Sequence, residues 1–233
     1  MDTTVPSSTH ATTHTAGHPR RWFILSILCL CLVLVVASVS SLNLAIPRIQ
    51  SALNATQSEL QWIIDSYALV FAGLLLPMGA LGDRFGRKWT LLTGLVLYAI
   101  AAVIASRSNS AHQLIGTRAA MGIAAALIMP STLSLLTSVF PAHERPKAIA
   151  VWAGFAGAGG AIGVMTSGVL LKFFWWGSVL FVTVPLIVVA VVMIALVVPN
   201  SQDSDRRPLD PLGSLFSMCG LSLIHISEPT RPY

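Results

Sequence analysis

Six long apolar runs, separated by short polar or charged segments, limit what this chain can fold into. The runs cover residues 22–46, 60–82, 89–106, 112–139, 148–171 and 175–198. At 1.5 Å rise per residue, a helix of about 20 residues crosses the bilayer core of about 30 Å. Only 10% of the residues are charged, against roughly 25% in soluble domains. We therefore predict an all-α integral membrane protein with six spans over residues 21–198.

The regions outside the six runs are read from composition. Residues 1–20 are rich in Thr, Ser, His and Pro, which predicts a disordered tail. Residues 199–211 form a polar linker, and 212–221 begin another apolar run. That run breaks at about residue 222, and 222–233 resemble translated adaptor read-through, so we predict a non-native tail and a fragment of a longer transporter.

The first run has two possible readings. Arg20 and Arg21 precede it and faintly resemble a twin-arginine export signal, but cleaved signals have shorter apolar regions. We favour an uncleaved first span that ends at Pro47. The net charge of +5 does not indicate nucleic-acid binding, because the basic residues lie in short clusters between apolar runs.

The distribution of Lys and Arg predicts the orientation. With the N-terminus inside, nine basic residues lie in inner segments and three in outer ones. The positive-inside rule then places the N-terminus and the linker 199–211 in the cytoplasm. The inner residues are Arg20, Arg21, Arg84, Arg87, Lys88, Arg145, Lys147, Arg206 and Arg207, and the outer ones are Arg48, Arg107 and Lys172.

The segment between the second and third runs, GALGDRFGRK at 79–88, is predicted to be a tight cytoplasmic turn. Gly86 lets the chain reverse, and Asp83 is placed to pair with Arg87. A purely topological basic loop is the alternative, but it does not explain the glycines or Asp83. We call seven of its residues the gating motif: Gly79, Leu81, Asp83, Arg84, Gly86, Arg87 and Lys88.

The gating motif resembles the signature between the second and third helices of the major facilitator superfamily. NLAIP at 43–47, WIIDSY at 62–67, Pro130 within the fourth run, and WWGSVLFVTVP at 175–185 narrow the resemblance to fourteen-helix drug:H⁺ antiporters of EmrB/QacA type. This resemblance implies the N-terminal six-helix bundle of a plasma-membrane antiporter that expels lipophilic small molecules. The motif would act as a conformational latch, the missing C-terminal half would complete the cavity, and a proton gradient would replace any cofactor.

Two ionisable residues lie inside the predicted spans, Asp65 in the second and Arg118 in the fourth, and such residues are functional candidates by default. They sit at similar depth, so we predict that they face a shared polar cavity and are coupled directly or through water. Arg118 begins RAAMG, which resembles a fourth-helix signature associated with proton coupling. The alternatives are that Asp65 snorkels to the outer interface and that Arg118 forms a structural ion pair.

The fifth run is rich in glycine, which lowers helix propensity and indicates close helix packing. The predicted packing positions are Gly154, Gly159, Gly163 and Gly168. Val164 and Ser167 depart from the antiporter signature of this helix, and Ser38 stands where many relatives carry an acid in the first helix. Recognition of a cationic drug by a first-helix carboxylate is therefore unsupported.

Three alternatives to the antiporter follow from the same residues. A facilitator or symporter for a metabolite would carry the same gating motif. A membrane-embedded enzyme or sensor lacks support, because the sequence has no metal-ligand cluster, nucleophile triad or nucleotide-binding loop. A truncated fragment that transports nothing is the third possibility.

Overall fold

The computed structural model describes residues 18–198, and all regular structure in this part of the chain is helical. The helices are α1 (Arg21–Leu53), α2 (Gln57–Phe85), α3 (Arg87–Ser106), α4 (Ala111–Val139), α5 (Arg145–Phe173), α6 (Ser178–Phe181) and α7 (Thr183–Val197). α6 and α7 together form the sixth candidate span, Ser178–Val197. The prediction of an all-helical membrane protein with six spans is confirmed for these residues. The predictions for residues 1–17, 199–211, 212–221 and 222–233 concern segments outside the described residues.

The prediction that Pro47 ends the first helix is wrong, because α1 continues to Leu53. Proline removes one backbone hydrogen bond, but membrane helices tolerate that loss where packing supports the chain beyond it. Here Ile49 is fully buried. α1 ends at Asn54, which adopts the left-handed conformation with φ of 49°, a usual way to end a helix.

The turn between the second and third spans is shorter than the sequence suggests. α2 extends to Phe85 and α3 begins at Arg87, so Gly86 alone separates them. Gly86 has a φ of 104°, a conformation that is strained for any residue with a side chain. The reversal predicted for ten residues is therefore made at one glycine, and most of the gating motif lies in the last two turns of α2.

Burial divides the six spans into inner and outer members. Within the most apolar window of each span, 61% of the residues of α1 and α4 are buried but only 17% of those of α2 and α5. α2 packs mainly on α4, α5 on α1, and α3 on α4. α1 and α4 are thus the centre of the bundle, and α2 and α5 each leave a long face uncovered.

The first turns of α2 and α4 are joined where the two helices begin. Thr56 and Glu59 form a reciprocal cap: the Glu59 amide donates to Thr56 Oγ1 at 3.3 Å, and the Thr56 amide donates to Glu59 Oε2 at 2.8 Å. Such a capping box fixes the start of a helix. The other Glu59 oxygen lies 3.4 Å from His112 Nδ1, in the first turn of α4. This contact links the first turns of α2 and α4 at the surface.

At the opposite end of the bundle, an ion pair joins the start of α1 to the connection between α4 and α5. Arg21 Nε and Nη2 donate to the two oxygens of Glu144 at 2.6 and 2.8 Å. The Trp22 ring packs edge-on against Phe140 beside this pair, with ring centroids 5.2 Å apart. The two-pronged geometry is the stronger kind of arginine–carboxylate contact.

The Arg21 hydrogen bonds lower the pKa of Glu144 below its ordinary value. A carboxylate with a depressed pKa in the folded state contributes stability at neutral pH, and this contribution is lost as the pH falls through that pKa. We expect Glu144→Gln to lower the thermal midpoint by at most about a few degrees at pH 7, and this decrease to shrink as the pH falls through the lowered pKa of Glu144. Arg20→Gln is the control, and a decrease that did not change with pH would contradict the prediction.

Candidate functional site

Arg118 is the most deeply buried charge among the described residues. It lies in α4 and is 1% exposed. Its Nε donates to the backbone carbonyl of Ile63 in α2 at 3.3 Å, and its guanidinium carbon lies 4.3 Å from the centroid of the Tyr67 ring. Within the described residues, Nη1 has no hydrogen-bond partner. A buried cation that stacks on an aromatic ring and contacts no carboxylate is costly to retain, which suggests a functional role.

Close packing of α2 on α4 brings Arg118 to these partners. Gly122 lies one turn after Arg118 on the same face, and a Cβ added there would come within 2.7 Å of the Tyr67 carbonyl oxygen. Only glycine permits this approach. The Ser66 hydroxyl donates to the Ile115 carbonyl at 3.3 Å nearby, a further bond between the two helices.

The polar contacts of Arg118 continue through two tyrosines to α1. Tyr67 and Tyr98 of α3 are both close enough to Arg118 for electrostatic interaction, and the Tyr98 hydroxyl is hydrogen-bonded to Ser38 in α1. Ser38 Oγ also donates to the Val35 carbonyl at 3.1 Å. We call these four residues, Ser38, Tyr67, Tyr98 and Arg118, the polar cluster. None is more than 4% exposed, and each comes from a different helix.

Asp65 lies outside the polar cluster. Within the described residues, no ion pair joins it to Arg118, so the direct contact that the sequence allows is not formed. The reason is its helix face: Ile63 and Tyr67 are one turn apart and both face α4, whereas Asp65 is two residues from each, about 200° around the helix. Asp65 is half-buried and shares its face with the exposed side chains of Trp62 and Leu69.

An apolar cavity of about 580 Å³ lies between α1, α5, α6 and α7. Its volume is within the range of about 300–1,000 Å³ for small-molecule sites. Ser38 lines it, so the polar cluster and the cavity meet at one side chain. The other lining residues are Trp22, Leu25, Ser26, Cys29, Leu30, Val33, Leu34, Ala37, Ser41, Val151, Phe155, Ile162, Gly163, Thr166, Val179, Val182, Thr183 and Leu186.

The gating motif lies at the C-terminal end of α2 and the start of α3, and it forms hydrogen bonds to two further helices, α4 and α7. Arg87 Nε donates to Asp83 Oδ1 at 3.1 Å, which confirms the predicted pair. Arg87 also donates to the Ser134 carbonyl of α4 at 3.4 Å, and Lys88 Nζ donates to the Ala195 carbonyl of α7 at 2.9 Å.

The remaining members of the gating motif have simpler surroundings. A Cβ on Gly79 would meet Pro130 of α4 at 3.5 Å, an ordinary packing distance. Leu81 is half-buried. Arg84 is exposed, with its guanidinium 5.6 Å from the Phe85 ring centroid. Gly79 also lines a small cavity of about 320 Å³ between the end of α2 and α4, together with Asp83 and Arg87, whereas Leu81 and Arg84 do not line it.

The structure divides the four predicted packing glycines of α5 into two pairs. Gly159 and Gly163 face α1: a Cβ on Gly159 would meet Val36 Cβ at 3.2 Å, and one on Gly163 would overlap the Ala37 backbone. Gly154 and Gly168 have nothing within 4 Å of an added Cβ, so close packing is not found there. Each is five residues from a contacting glycine, which turns it about 140° from the face that meets α1.

Comparison with known protein families identifies the fold. Residues 28–225 match the family model described as Major Facilitator Superfamily. The chain belongs to this superfamily. It is thus one of a family of transporters, and the six apolar helices make it a multi-pass membrane protein.

Relatives of this major facilitator protein include efflux and resistance proteins. It is 38% identical over 213 residues to the multidrug efflux pump LfrA of Mycolicibacterium smegmatis, covering 91% of this chain and 41% of the pump. It is 40% identical over 212 residues to the methyl viologen resistance protein SmvA of Salmonella typhimurium, covering 91% and 43%. The chain therefore spans less than half the length of these relatives.

A solved structure supports the fold assignment. The bacterial homolog of the human lysosomal transporter Spinster, in an inward-facing and unoccupied conformation, matches with a TM-score of 0.65. The match covers 84% of this chain and 47% of that structure, at 20% sequence identity. At this identity the likeness concerns the fold alone.

Sequence reasoning assigned no role to three residues that the structure places beside Arg118 or between it and the cavity. Tyr67 and Tyr98 are ordinary residues of apolar spans in the sequence, and Ser66 is one of many serines. A signal was available only for Gly122, four residues after Arg118, because this spacing places both on one helix face. The partners of Arg118 come from other helices, and their proximity is a property of the fold.

Proposed function

We propose that this major facilitator protein is the N-terminal half of a fourteen-helix drug:H⁺ antiporter that exports lipophilic small molecules across the plasma membrane. The observation that carries the proposal is the polar cluster, because it connects a buried, carboxylate-free arginine to a drug-sized apolar cavity at Ser38. The identities to a multidrug efflux pump and a methyl viologen resistance protein support export of drug-like molecules. Their greater length supports a C-terminal half that completes the cavity.

In this proposal the N-terminus is cytoplasmic, residues 1–20 and 199–211 lie on the cytoplasmic side, and 212–221 begin a further span. The starts of α2 and α4 then face outward, which places Asp65 and Arg118 about 10–12 Å along their helices from the outer ends. The gating motif lies at the cytoplasmic ends of α2 and α3. Its Asp83–Arg87 pair is the latch that opens and closes as the two halves rock.

Asp65 is the proposed proton acceptor. Arg118 of α4 lies against the face of α2 that is opposite Asp65, so about one helix diameter, roughly 10 Å, separates the two charges. At an effective dielectric constant of 20 this distance corresponds to an interaction of about 1.7 kcal/mol. Protonation of Asp65 would remove this interaction with Arg118 without any direct contact between the two side chains. A loss of about 1.7 kcal/mol changes an equilibrium constant by more than tenfold. Arg118 in turn contacts Tyr67 and, through Tyr98, Ser38 at the cavity.

The energy available from one proton is sufficient for useful export. One charge moving down 100 mV supplies about 2.3 kcal/mol. At about 1.4 kcal/mol per tenfold ratio, this sustains a gradient of roughly fifty-fold for a neutral substrate. Coupling to protons therefore requires no nucleotide hydrolysis.

The proposal is tested with the full-length transporter in proteoliposomes that contain a pH-sensitive dye and carry an imposed proton gradient. We expect ethidium, a lipophilic cation, to evoke proton release from the vesicles, and Asp65→Asn to reduce this release by about tenfold, because the coupling energy of about 1.7 kcal/mol is lost. Glu144→Gln, which removes a carboxylate outside the spans, is the matched control. An undiminished signal in Asp65→Asn would exclude Asp65 as the proton site, and proton flux evoked by a metabolite but not by ethidium would favour the facilitator alternative.

A further inference from the structure

We infer that the cavity between α1, α5, α6 and α7 recognises lipophilic molecules through their hydrogen-bond donors. Such a molecule would present an N–H or O–H group to hydroxyl oxygens on the cavity wall. This inference rests on the proposal that the cavity is the substrate site, and it specifies the chemistry that the site selects.

The evidence is the direction of the hydrogen bonds made by the lining hydroxyls. Each of the five Ser and Thr side chains on the cavity wall donates its proton to a backbone carbonyl. The pairs are Ser26 to Phe23 at 2.8 Å, Ser38 to Val35 at 3.1 Å, Ser41 to Gly163 at 2.9 Å, Thr166 to Ile162 at 2.7 Å and Thr183 to Leu180 at 2.7 Å.

A hydroxyl has one proton and two lone pairs. Once the proton is donated to the backbone, the group can only accept a further hydrogen bond. Ser38 Oγ is within hydrogen-bond distance of both the Val35 carbonyl and the Tyr98 hydroxyl; when its proton goes to Val35, Tyr98 donates to it and one lone pair remains. The lining hydroxyls therefore act as acceptors; those of Ser26 and Thr166 are the more accessible, whereas Ser38, Ser41 and Thr183 are buried in the wall.

Few of the described side chains that line the cavity can donate a hydrogen bond to a ligand. The Trp22 indole is a donor at the start of α1, and the Cys29 thiol is a weak donor. No charged side chain is among the residues that line the cavity in the described part of the chain. A ligand that carries only acceptors therefore finds few partners, whereas a ligand with a donor finds several.

The energetic consequence is a preference among molecules of equal shape. A polar group transferred from water to an apolar cavity is stabilised only if it forms a hydrogen bond there. One such bond changes binding by about three- to tenfold. The selectivity is set by the ligand's donor, and it adds to the general affinity that the apolar walls give to any lipophilic molecule.

The test compares three rigid tricyclic molecules of nearly identical shape with the purified chain in detergent. Carbazole carries an N–H donor, dibenzofuran carries an ether oxygen, and fluorene carries neither. We expect saturable binding of carbazole, followed by ligand fluorescence, to be about three- to tenfold tighter than that of dibenzofuran or fluorene. Equal or tighter binding of dibenzofuran, or no saturable binding of any of the three, would overturn the inference.

A near-isosteric double variant tests which hydroxyls cause the preference for carbazole. Thr166→Val with Thr183→Val removes two acceptors from the wall without changing its shape, and should at least halve the preference for carbazole. The control is Thr132→Val in α4: Thr132 is buried, donates to the Met129 carbonyl at 2.7 Å, and does not line the cavity. An unchanged preference in the double variant would overturn the assignment of the donor site to these hydroxyls.

This experiment is independent of the test of proton coupling. Binding is measured at equilibrium without a proton gradient, so a failure of Asp65 or Arg118 to couple protons leaves the three affinities unaffected. Conversely, loss of the donor preference would leave drug-evoked proton release intact. The two proposals can therefore fail separately.

Discussion

Arg118→Ala is expected to abolish drug-evoked proton release while leaving the bundle folded. The guanidinium is the one buried charge of the polar cluster, and its removal takes away the group that responds to Asp65 and contacts Tyr67. We expect the coupled flux to fall by at least about tenfold, because a coupling energy of about 1.7 kcal/mol corresponds to a ratio of roughly eighteen. The measurement is the rate of proton release in proteoliposomes on addition of ethidium.

Two further variants separate charge from geometry. Arg118→Lys keeps the cation but loses the planar group that stacks on Tyr67 and reaches the Ile63 carbonyl, so we expect an intermediate flux. Arg107→Ala removes an exposed arginine at the end of α3 and serves as the control. If Arg118→Ala coupled protons as the wild type does, the role assigned to the polar cluster would be wrong.

The variant Tyr98→Phe distinguishes a loss of proton coupling from a loss of folded structure. This change removes one hydroxyl and keeps the ring, so the bundle retains its packing but Ser38 loses its bond to the rest of the polar cluster. Coupled flux should fall in this variant, while equilibrium binding of carbazole should remain within about threefold of the wild type. A decrease in binding and flux together would indicate a structural role only.

The fold could be predicted from the sequence because the bilayer imposes it. Apolar runs long enough to span the membrane must form helices, since no other backbone arrangement within one segment satisfies its own hydrogen bonds there. The residues at which the helices end were harder to predict. Pro47 is a helix breaker in isolation, yet the packing of Ile49 keeps α1 continuous, and this packing is not visible in the local sequence.

The candidate site could be predicted only in part, for a related reason. Asp83 and Arg87 are four residues apart on one helix, so their pairing follows from local geometry. Arg118 stands out because it is charged, but its partners Ile63 and Tyr67 lie on another helix. The apolar residues of α2 surround the whole helix, so the sequence does not indicate which face meets α4, and the position of Asp65 relative to Arg118 stayed undetermined.

The polar cluster meets α2 at Tyr67, in the first half of the helix, and the gating motif begins in its last two turns. Tyr67 and Asp83 are separated by about 24 Å along the helix axis, and Pro77 lies between them. Proline weakens the hydrogen bonding of the turn before it. A change in the packing of Tyr67 on Arg118 can thus reach the Asp83–Arg87 pair through one continuous helix, with a defined position at which that helix bends most easily.

The largest effect on stability is expected for Gly163→Ala. An added Cβ would lie 2.8 Å from the Ala37 Cα and would overlap its carbonyl oxygen, so α5 must move away from α1. The same movement weakens the bond from Ser41 to the Gly163 carbonyl. Overpacking of this kind typically costs about 1–3 kcal/mol, and we expect a decrease of that size in the free energy of unfolding measured in detergent.

Gly168→Ala and Gly154→Ala are the matched controls on the same helix. Nothing lies within 4 Å of a Cβ added at either position, and alanine favours the helical conformation over glycine by about 1 kcal/mol. Both variants should therefore unfold at the same or a slightly higher denaturant concentration than the wild type. If Gly163→Ala were as stable as these two, α5 would not approach α1 as closely as the structure shows. If Gly168→Ala were equally destabilised, its uncovered face would be in contact with a further helix in the protein.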